Sequence, residues 1–353
     1  MKIEIFFNFK EENRVSMNML GNMLFKGFKD IKKEKVYKFI PRISFLSKLN
    51  KNLFTMRFER YVNYPLQVLF KRKKDVVHII DHQYSHLVDF INAKVKIITI
   101  NDLIPIIFKK KRDKNPLLLK YSLSRIKKFD HIVSLSKQTK KDLIKFFKID
   151  QKKISVIYPP VGKIFNTKKV NKYKLSKKFN LPVKQKKIIV YDTIFYKNFE
   201  FSLSLFKLLL KFYPNVIMIK IGSNYKKNIN PYIRDKIYEF EKLNRSEIAN
   251  LYKICDLLLF PSIYEGFGLP CLEAMKCGIP VLGSNKASLK EVLNKSSQFS
   301  FSSKLTVVKK IIKIFKNKKY FNKYSKLSII QSKKFNESYY FEKMNNLYLK
   351  HLN

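Results

Sequence analysis

The chain has 353 residues, more than a typical single hydrophobic core accommodates, so two domains are favoured. Its 46% hydrophobic content, with 31 Phe and 20 Tyr, supplies enough apolar side chains for sizeable cores and excludes an intrinsically disordered chain. With 74 Lys and Arg against 26 Asp and Glu, the formal net charge is +48, which favours polyanionic partners such as nucleic acid or an anionic membrane. A solvated basic exterior without such a partner is the alternative.

The N-terminal segment over residues 1–8 (MKIEIFFN) contains Glu4 and lacks both a continuous apolar core and a small-residue cleavage site. We therefore expect it to form a first strand rather than a signal peptide. No apolar run approaches the roughly 18 to 20 residues of a membrane-spanning helix. The three cysteines lack C-x-x-C spacing and an even count, which suits a reducing cytoplasm. Any membrane contact is thus expected to be peripheral, at the inner face.

The first half alternates short apolar runs with longer segments of helical period, the pattern of βα units built on a parallel sheet. Strands are predicted at Lys2–Phe7, Val76–Ile80, Val95–Ile100, His131–Leu135 and Ile154–Tyr158. Helices are predicted at Asn115–Phe129 and at Lys137–Phe147, the second with the Ser136 hydroxyl as its cap. The first half therefore favours a doubly wound, Rossmann-like α/β domain.

Three histidines, His78, His82 and His86, recur at intervals of four in this half. On a helix that spacing can chelate zinc, but His78 lies in a predicted strand and no H-E-x-x-H sequence is present. We interpret the segment as a ligand-facing loop. Either His82 or His86 contacts a ligand there, or both have plain structural roles.

A Lys- and Asn-rich stretch interrupts the pattern between Pro159 and Lys187 and predicts an interdomain linker with some local helix. A second βα series follows, with strands predicted at Lys187–Tyr191, Val216–Ile221, Leu257–Phe260 and Pro280–Gly283. Its helices are predicted at Asn198–Phe212, Arg245–Lys253, Pro270–Cys277 and Ser288–Leu293, and the closing segment Ser303–Leu352 is helical by pattern. The predicted boundaries are a domain over 1–165, a linker over 166–186, a second domain over 187–335 and a final helix over 336–353.

Four of the eight glycines, Gly266, Gly268, Gly278 and Gly283, lie within eighteen residues. The stretch over 257–278 has the order of a buried strand, a Gly-rich turn and a helix that Pro270 begins and Gly278 ends. Backbone N–H groups at such a helix start, with the positive end of the helix dipole, bind phosphate. The sequence therefore predicts an anion site at this turn.

Two carboxylates flank the turn, Glu265 before the glycines and Glu273 one turn into the helix. Carboxylates beside a phosphate site repel it unless they face other groups, and sugar hydroxyls are donors that they can accept from. A nucleotide sugar, with a diphosphate between a sugar and a ribose, satisfies the whole arrangement. The alternative is a tight connection in which Glu265 is solvated and Glu273 caps its own helix.

The string EGFGLPCLE over 265–273, continued by AMKCGIPVLGSN to Asn285, resembles the E-x7-E donor motif of the retaining glycosyltransferases of family GT4. In the first half, IITINDLIP (97–105), HIVSLSKQTKKDL (131–143) and KISVIYPPV (153–161) resemble segments of that family's acceptor-side domain. The resemblance covers most of the chain. It implies a GT-B fold, in which two Rossmann-like domains face a cleft and a final helix packs back on the first domain.

The resemblance also implies a role for each donor-site residue. Glu273 would bind the ribose hydroxyls, Glu265 would hold the transferred sugar, and Lys197 would neutralise the leaving diphosphate in place of a metal. The backbone amides that would contact the sugar or diphosphate belong to Gly266, Phe267, Gly268 and Leu269. Neither a cofactor nor a metal ion is expected.

The family's usual glycine near Tyr191 or Asp192 is absent, and two further positions depart from the family pattern. Asn101-Asp102 stands where family members usually carry His-Asp, and Tyr196 stands where a basic residue usually precedes the lysine. Asn101 could still hydrogen-bond a sugar hydroxyl but cannot act as an acid or base. We expect His82 and Asp102 to lie on the acceptor side.

The function that the resemblance implies is transfer of a sugar from a nucleoside diphosphate to an acceptor hydroxyl, with retention of configuration. An envelope glycan or a lipid-linked glycan is the expected acceptor. A catalytically degenerate homologue that binds a glycan or nucleotide without transfer is the alternative. Nucleic acid is not expected as a partner, since no recognisable RNA- or DNA-binding module is present.

Overall fold

The computed structural model describes residues 1–12, 14–31, 35–108, 116–223 and 229–352. The chain divides into two compact units, one formed by Met1–Pro159 with Glu337–Asn353 and the other by Pro160–Asn336. Each unit contains a six-stranded sheet, and every strand pair that the structure describes is parallel. The prediction of two α/β units built on parallel sheets is confirmed.

The sheet of the first unit contains one strand more than the sequence predicted. Its strands are β1 (Lys2–Phe6), β2 (Lys35–Phe39), β3 (Lys74–Ile79), β4 (Ala93–Ile100), β5 (His131–Ser134) and β6 (Ile154–Val156). Their order is β2-β1-β3-β4-β5-β6, so β2 lies at an edge. After β1 the chain forms β2 on one side of β1 and then β3 on the other side. The direction of strand addition therefore reverses between β1 and β3, which is the switch point of the sheet.

Helices of the first unit cover both faces of its sheet. They are α1 (Val15–Lys26), α2 (Phe45–Leu49), α3 (Leu53–Phe58), α4 (Tyr64–Leu69), α5 (Ile104–Ile107), α6 (Pro116–Ser124) and α7 (Lys137–Phe147). Asn115, where the sequence predicted a helix to begin, lies outside the described residues. The bounds of α7 are as predicted, and Ser136 Oγ caps it by accepting from the Thr139 amide at 3.0 Å.

Two hydrophobic clusters, one on each face, make the first sheet doubly wound. Adjacent residues of β4 contribute to different clusters: Ile97 packs with Ile3 and Val76, whereas Ile98 packs with Phe6 and Val77. Side chains of a strand alternate between the two faces of a sheet, so a strand that is apolar throughout has to be covered on both sides. Residues 97–100 of β4 are all buried, which this coverage of both faces explains.

The sheet of the second unit has strands β7 (Lys186–Tyr191), β8 (Val216–Ile221), β9 (Ile237–Phe240), β10 (Leu257–Phe260), β11 (Val281–Ser284) and β12 (Gln298–Phe299). Their order is β12-β11-β10-β7-β8-β9. The bounds of β8 and β10 are as predicted, whereas the two edge strands β9 and β12 were not predicted. The chain adds strands on one side of β7 as far as β9 and then continues from β10 on the other side. The switch point of this sheet is therefore β7/β10.

The helices of the second unit are α8 (Lys172–Lys178), α9 (Phe199–Phe212), α10 (Pro231–Arg234), α11 (Arg245–Ile254), α12 (Leu269–Lys276), α13 (Leu289–Val292), α14 (Lys304–Lys316) and α15 (Lys318–Ser332). The segment predicted as a linker, 166–186, contains α8 and belongs to this unit by its contacts. The closing segment predicted to be helical throughout is divided into α14, α15 and a final helix, α16 (Glu337–Leu352).

The final helix α16 belongs to the first unit. Phe341, Met344 and Tyr348 are buried in the same cluster as Ile5 and Ile97 of the sheet. No helix in the described part of the chain is both long and apolar enough to cross a bilayer. The three cysteines are buried and free.

Candidate active site

Lys197 and Glu265 meet at the switch point of the second sheet. Lys197 lies in a 3-10 turn after β7, and Glu265 lies in the loop after β10. Lys197 Nζ is 2.7 Å from Glu265 Oε1, although the two residues are 68 positions apart in sequence. The side chains are only 11% and 9% exposed, so the ion pair is shielded from water, and Lys197 Nζ also lies 4.6 Å from the centre of the Phe260 ring. The structure therefore brings two predicted site residues into direct contact.

Two serines fix the loop that carries Glu265. Ser262 Oγ lies 2.6 Å from Glu265 Oε1, and Ser288 Oγ lies 2.9 Å from the carbonyl oxygens of both Glu265 and Phe267. Glu265 is 7% exposed, so the alternative in which it is solvated is wrong. Neither serine was assigned a role from the sequence, because a hydroxyl contact across a loop leaves no spacing signal.

Gly268 sets the geometry of the turn before α12. Its φ is +104°, a backbone conformation that side-chain-bearing residues rarely adopt. A Cβ at this position would lie 2.7 Å from Leu289 Cδ2. The preceding residues Gly266 and Phe267 are buried, and Leu269 begins the helix. Pro270 has no N–H, and the amides of Cys271 and Leu272 donate to the Gly268 carbonyl. An anion at this helix start would therefore be bound by the amides of Leu269 and of the turn before it.

Glu273 pairs with an arginine that the sequence did not identify. The carboxylate is 2% exposed, and its Oε1 lies 2.6 Å from Arg245 Nη2 at the start of α11. Burial raises the pKa of Glu273 to about 7, and the positive charges of Arg245 and Lys197 oppose that rise. The Arg245 guanidinium also stacks on the ring of Phe165, 4.6 Å from its centre. The alternative in which Glu273 caps its own helix is therefore not what the structure shows.

Two further buried contacts in the second unit involve residues at the end of β7. The hydroxyls of Tyr191 and Tyr252 are 2.6 Å apart, and burial raises the pKa of both. The negative charge of Glu273 raises these values further. Asp192, the residue after β7, is paired with buried Lys220 at 3.0 Å.

The predicted site residues of the first unit follow β3 and β4. Asn101 Nδ2 donates to the Ile80 carbonyl at 3.2 Å, and its buried Oδ1 has no hydrogen-bond partner among the described residues. His82 is 2% exposed, and neither of its ring nitrogens has a hydrogen-bond partner there, although Nδ1 lies 3.8 Å from Asp81 Oδ1. Asp102 Oδ1 accepts from the amide of Ile104, the first residue of α5, at 2.9 Å. Asn101 and His82 therefore keep unused hydrogen-bonding capacity, whereas Asp102 has a local structural contact.

The other two histidines of the repeat have structural contacts. His78 lies between the Tyr348 hydroxyl at 2.6 Å and Thr99 Oγ1 at 2.7 Å, and burial lowers its pKa to about 3. His86 lies between Ser122 Oγ and the Arg60 carbonyl, each at 2.9 Å, and burial lowers its pKa to about 4. Within the described ranges, no group of three or more His, Cys, Asp and Glu side chains is placed to hold a metal ion.

Comparison with known proteins adds two family matches. The family model described as "Glycosyl transferases group 1" matches residues 171–329, and the one described as "Glycosyltransferase Family 4" matches residues 30–162. Between them the two matches cover most of the chain. The donor-motif string at 265–273 lies within the first match.

Curated relatives include mannosyltransferases of bacterial O-antigens. The serotype-specific mannosyltransferase WbdA of Escherichia coli is 28% identical over 250 residues, which cover 62% of this chain and 30% of WbdA. The O-antigen chain mannosyltransferase RfbU of Salmonella typhimurium is 28% identical over 189 residues, which cover 52% of this chain and 49% of RfbU. The matched part of the chain thus spans less than half the length of these relatives.

Among solved structures, Anabaena HepE in complex with UDP and glucose matches this chain with a TM-score of 0.73. The match covers 98% of this chain and 99% of HepE at 13% sequence identity. At such low identity the likeness shows the fold alone. The predicted GT-B fold is confirmed.

Proposed function

Because the chain belongs to glycosyltransferase family 4, we propose that it transfers a sugar from a nucleoside diphosphate sugar to an acceptor hydroxyl, with retention of configuration. The observation that carries the proposal is the shielded Lys197–Glu265 pair at the switch point of the second sheet, beside the turn at Gly268. Lys197 is also close enough to Glu273 to affect the pKa of that carboxylate. One ammonium and two carboxylates thus belong to a single site.

The charges of this site match the parts of a nucleotide sugar. The Lys197 ammonium and the amides at the start of α12 would stabilise the negative charge that develops on the leaving diphosphate. Water exclusion strengthens this effect, because charges attract more strongly at low dielectric. Glu273, which Arg245 holds in place, would accept from the ribose hydroxyls.

Glu265 would orient the transferred sugar. Its Oε1 contacts Lys197 and Ser262, and we assign its Oε2 to hydroxyls of the sugar ring. A carboxylate fixed by two contacts positions a substrate well, since positioning itself supplies a large part of catalysis. We assign no covalent nucleophile, cofactor or metal ion to the reaction.

The relatives support the class of donor and acceptor. HepE was solved with UDP and glucose, and WbdA and RfbU are named as mannosyltransferases. We therefore propose a hexose donor and an envelope glycan or lipid-linked glycan as acceptor. Asn101 and His82 would contact the hydroxyls of bound sugars through their unused hydrogen-bonding groups, with Asp102 beside them on the acceptor side.

The proposal is tested with a panel of nucleotide sugars, scored by mass spectrometry for binding, slow hydrolysis and transfer. We expect at least one donor to bind and to be hydrolysed slowly, and its hydrolysis and transfer to fall strongly in Glu265→Gln and Lys197→Ala. Lys207→Ala, which changes an exposed lysine of α9, is the matched control. Absence of binding across the panel would contradict the proposal.

One departure from the family pattern favours the degenerate homologue as a second candidate. Asn101 occupies the position where the family usually has a histidine, and an amide cannot exchange a proton as an imidazole does. A donor that binds tightly but is neither hydrolysed nor transferred would favour that candidate over the enzyme.

A further inference from the structure

The first unit exposes an apolar surface on the short helices α2 and α3. Its five side chains are Phe45 (71% exposed), Leu46 (69%), Leu49 (71%), Leu53 (61%) and Phe54 (78%). Single exposed apolar residues are normal, but a cluster of large ones within ten residues marks an interaction surface. We call these five residues the α2–α3 apolar face.

Polar residues on the opposite side of the same segment form hydrogen bonds with a buried carboxylate, and this leaves the apolar face exposed. The Ser44 and Ser47 hydroxyls donate hydrogen bonds to the fully buried carboxylate of Glu59, and the Ser44 amide donates to it at 3.0 Å. Asn63 donates to the same carboxylate. Burial acts to raise the pKa of Glu59, but these hydrogen bonds lower it overall and keep the carboxylate ionised. The outward direction of the apolar residues is therefore fixed by buried contacts.

Basic residues border the α2–α3 apolar face. The sequence contains no Asp or Glu between Lys35 and Phe58, whereas Lys48 and Lys51 are exposed within and beside the two helices. Lys48 also lines an adjacent cleft of about 610 Å³, whose charged lining residues are four basic ones, Lys10, Lys38, Arg42 and Lys48, and one acidic one, Glu11. Exposed apolar residues surrounded by positive charge are the composition of surfaces that lie in the interface of a negatively charged membrane.

We propose that the α2–α3 apolar face docks on an anionic lipid bilayer. The phenylalanine and leucine side chains enter the boundary between headgroups and acyl chains, and Lys48, Lys51 and Arg42 bind lipid phosphates. A second copy of the chain fits this surface poorly, because each copy carries the same local positive charge and a formal net charge of +48. An anionic bilayer offers an apolar layer for the phenylalanine and leucine side chains and negative charge for the basic residues.

Cosedimentation with vesicles of phosphatidylcholine and phosphatidylglycerol tests the apolar part of the proposal. We expect the double variant Leu46→Ser/Phe54→Ser to partition at least about tenfold more weakly than the unmodified protein, since two exposed apolar side chains no longer enter the bilayer. The matched control is Phe212→Ser/Leu305→Ser, which removes one exposed phenylalanine and one exposed leucine from the second unit. Equal partitioning of both double variants would overturn the proposal.

The charged part is tested with Lys48→Glu/Lys51→Glu against Lys318→Glu/Lys319→Glu, which changes the net charge equally on the second unit. We expect the first pair to weaken binding to vesicles with phosphatidylglycerol several-fold more than the second, and binding to pure phosphatidylcholine to be weak throughout. If both pairs weaken binding equally, attraction is delocalised over the whole basic surface and the assigned face is wrong.

Sedimentation velocity without vesicles tests whether a second copy of the chain occupies this face instead of a bilayer. A dimer of the unmodified protein that Leu46→Ser/Phe54→Ser dissociates would assign the face to a second copy and overturn bilayer docking. All vesicle measurements are made without a nucleotide sugar. Failure of bilayer docking and failure of the proposed transfer reaction are therefore separate outcomes.

Discussion

At the scale of single residues, the two carboxylates of the candidate donor site differ in their surroundings. Glu265 has an ammonium at 2.7 Å and a hydroxyl at 2.6 Å, whereas Glu273 is more deeply buried and has one arginine contact. Burial without full compensation is what raises the pKa of Glu273. The two acids are therefore expected to respond differently to pH and to substitution.

Replacing Lys197 should impair catalysis far more than folding of the second unit. In Lys197→Ala the developing charge on the diphosphate loses its ammonium, and loss of one such group typically lowers kcat by about 10²- to 10³-fold. Donor transfer measured by mass spectrometry checks this, with Lys207→Ala as the control. A Lys197→Ala protein with unchanged turnover would contradict the role assigned to the lysine.

Replacing Glu273 should change the pH dependence of stability. The pKa of this group is raised from 4.5 to about 7 on folding, so the folded protein binds the proton more tightly than the unfolded chain. Its stabilising contribution is full below the unfolded pKa and is lost as the pH rises through about 7. Relative to Glu273→Gln, the unmodified protein should therefore lose on the order of 1–3 kcal/mol of unfolding free energy between about pH 4.5 and about pH 8.

Urea denaturation of both proteins at the two pH values measures that difference. Nucleotide-sugar binding should have the opposite trend, because the ionised carboxylate accepts from both ribose hydroxyls while the protonated form has lost acceptor capacity. Affinity of the unmodified protein should rise through about pH 7, and that of Glu273→Gln should be weaker and flat. The same pH trend in both proteins would show that another group is responsible.

At the scale of elements, the sequence predicted buried strands better than edge strands. The bounds of β8 and β10 were predicted correctly because both strands are fully buried and apolar apart from Lys220. The strands β2, β9 and β12 were missed, and all three lie at sheet edges. An edge strand is partly solvated and short, so its hydrophobic pattern is weak: β2 has the sequence KVYKF, and β12 has two residues.

The candidate site was predicted from the sequence only in part, for a related reason. Gly268, Glu265 and Glu273 lie within one strand-turn-helix segment, whose local spacing is visible in the sequence. The contacts of Lys197 with Glu265 and of Arg245 with Glu273 depend on which strands are neighbours in the sheet. Strand order is a tertiary property, so Arg245 could not be recognised before the fold was known.

Replacing Gly268 should disturb the turn that begins α12. An alanine there would have to adopt a φ near +104° and place its Cβ 2.7 Å from Leu289 Cδ2. Strain of that kind costs about 1–3 kcal/mol, and a displaced turn should weaken nucleotide-sugar binding as well. Gly162→Ala is the control, because no atom lies within 4 Å of a Cβ at that position.

Thermal unfolding and donor titration of the two glycine variants check this prediction. We expect a lower transition temperature and weaker donor binding for Gly268→Ala, with Gly162→Ala close to the unmodified protein. If the two variants are equally stable and bind the donor equally well, the turn tolerates a side chain and its close backbone approach is not required.

At the scale of the whole molecule, each unit is a parallel sheet with its own switch point, and polar residues follow the switch-point strands in both. In the second unit Lys197 and Glu265 follow β7 and β10. In the first unit Asn8 and Asp81 follow β1 and β3, and Asn8 Nδ2 donates to Asp81 at 2.7 Å. The same topology thus places polar groups at the carboxyl edge of both sheets, where ligands of such sheets bind.

The final helix α16 packs in the core of the first unit, whose other residues are 1–159. Met344 is fully buried and Phe341 is 4% exposed, and both pack with residues of β1 and β4. Replacing either residue by alanine leaves a cavity and should cost about 2–5 kcal/mol. Tyr339→Ala, which changes a 44% exposed residue of the same helix, should cost much less.

Hydrogen exchange with mass spectrometry locates the effect. In Phe341→Ala and Met344→Ala we expect protection to fall in β3 and β4 while β7 and β8 keep theirs, because the cavity opens only in the first unit's core. Tyr339→Ala should leave all four strands unchanged. Equal loss of protection in both sheets would mean that the two units unfold as one cooperative body, which would contradict this expectation.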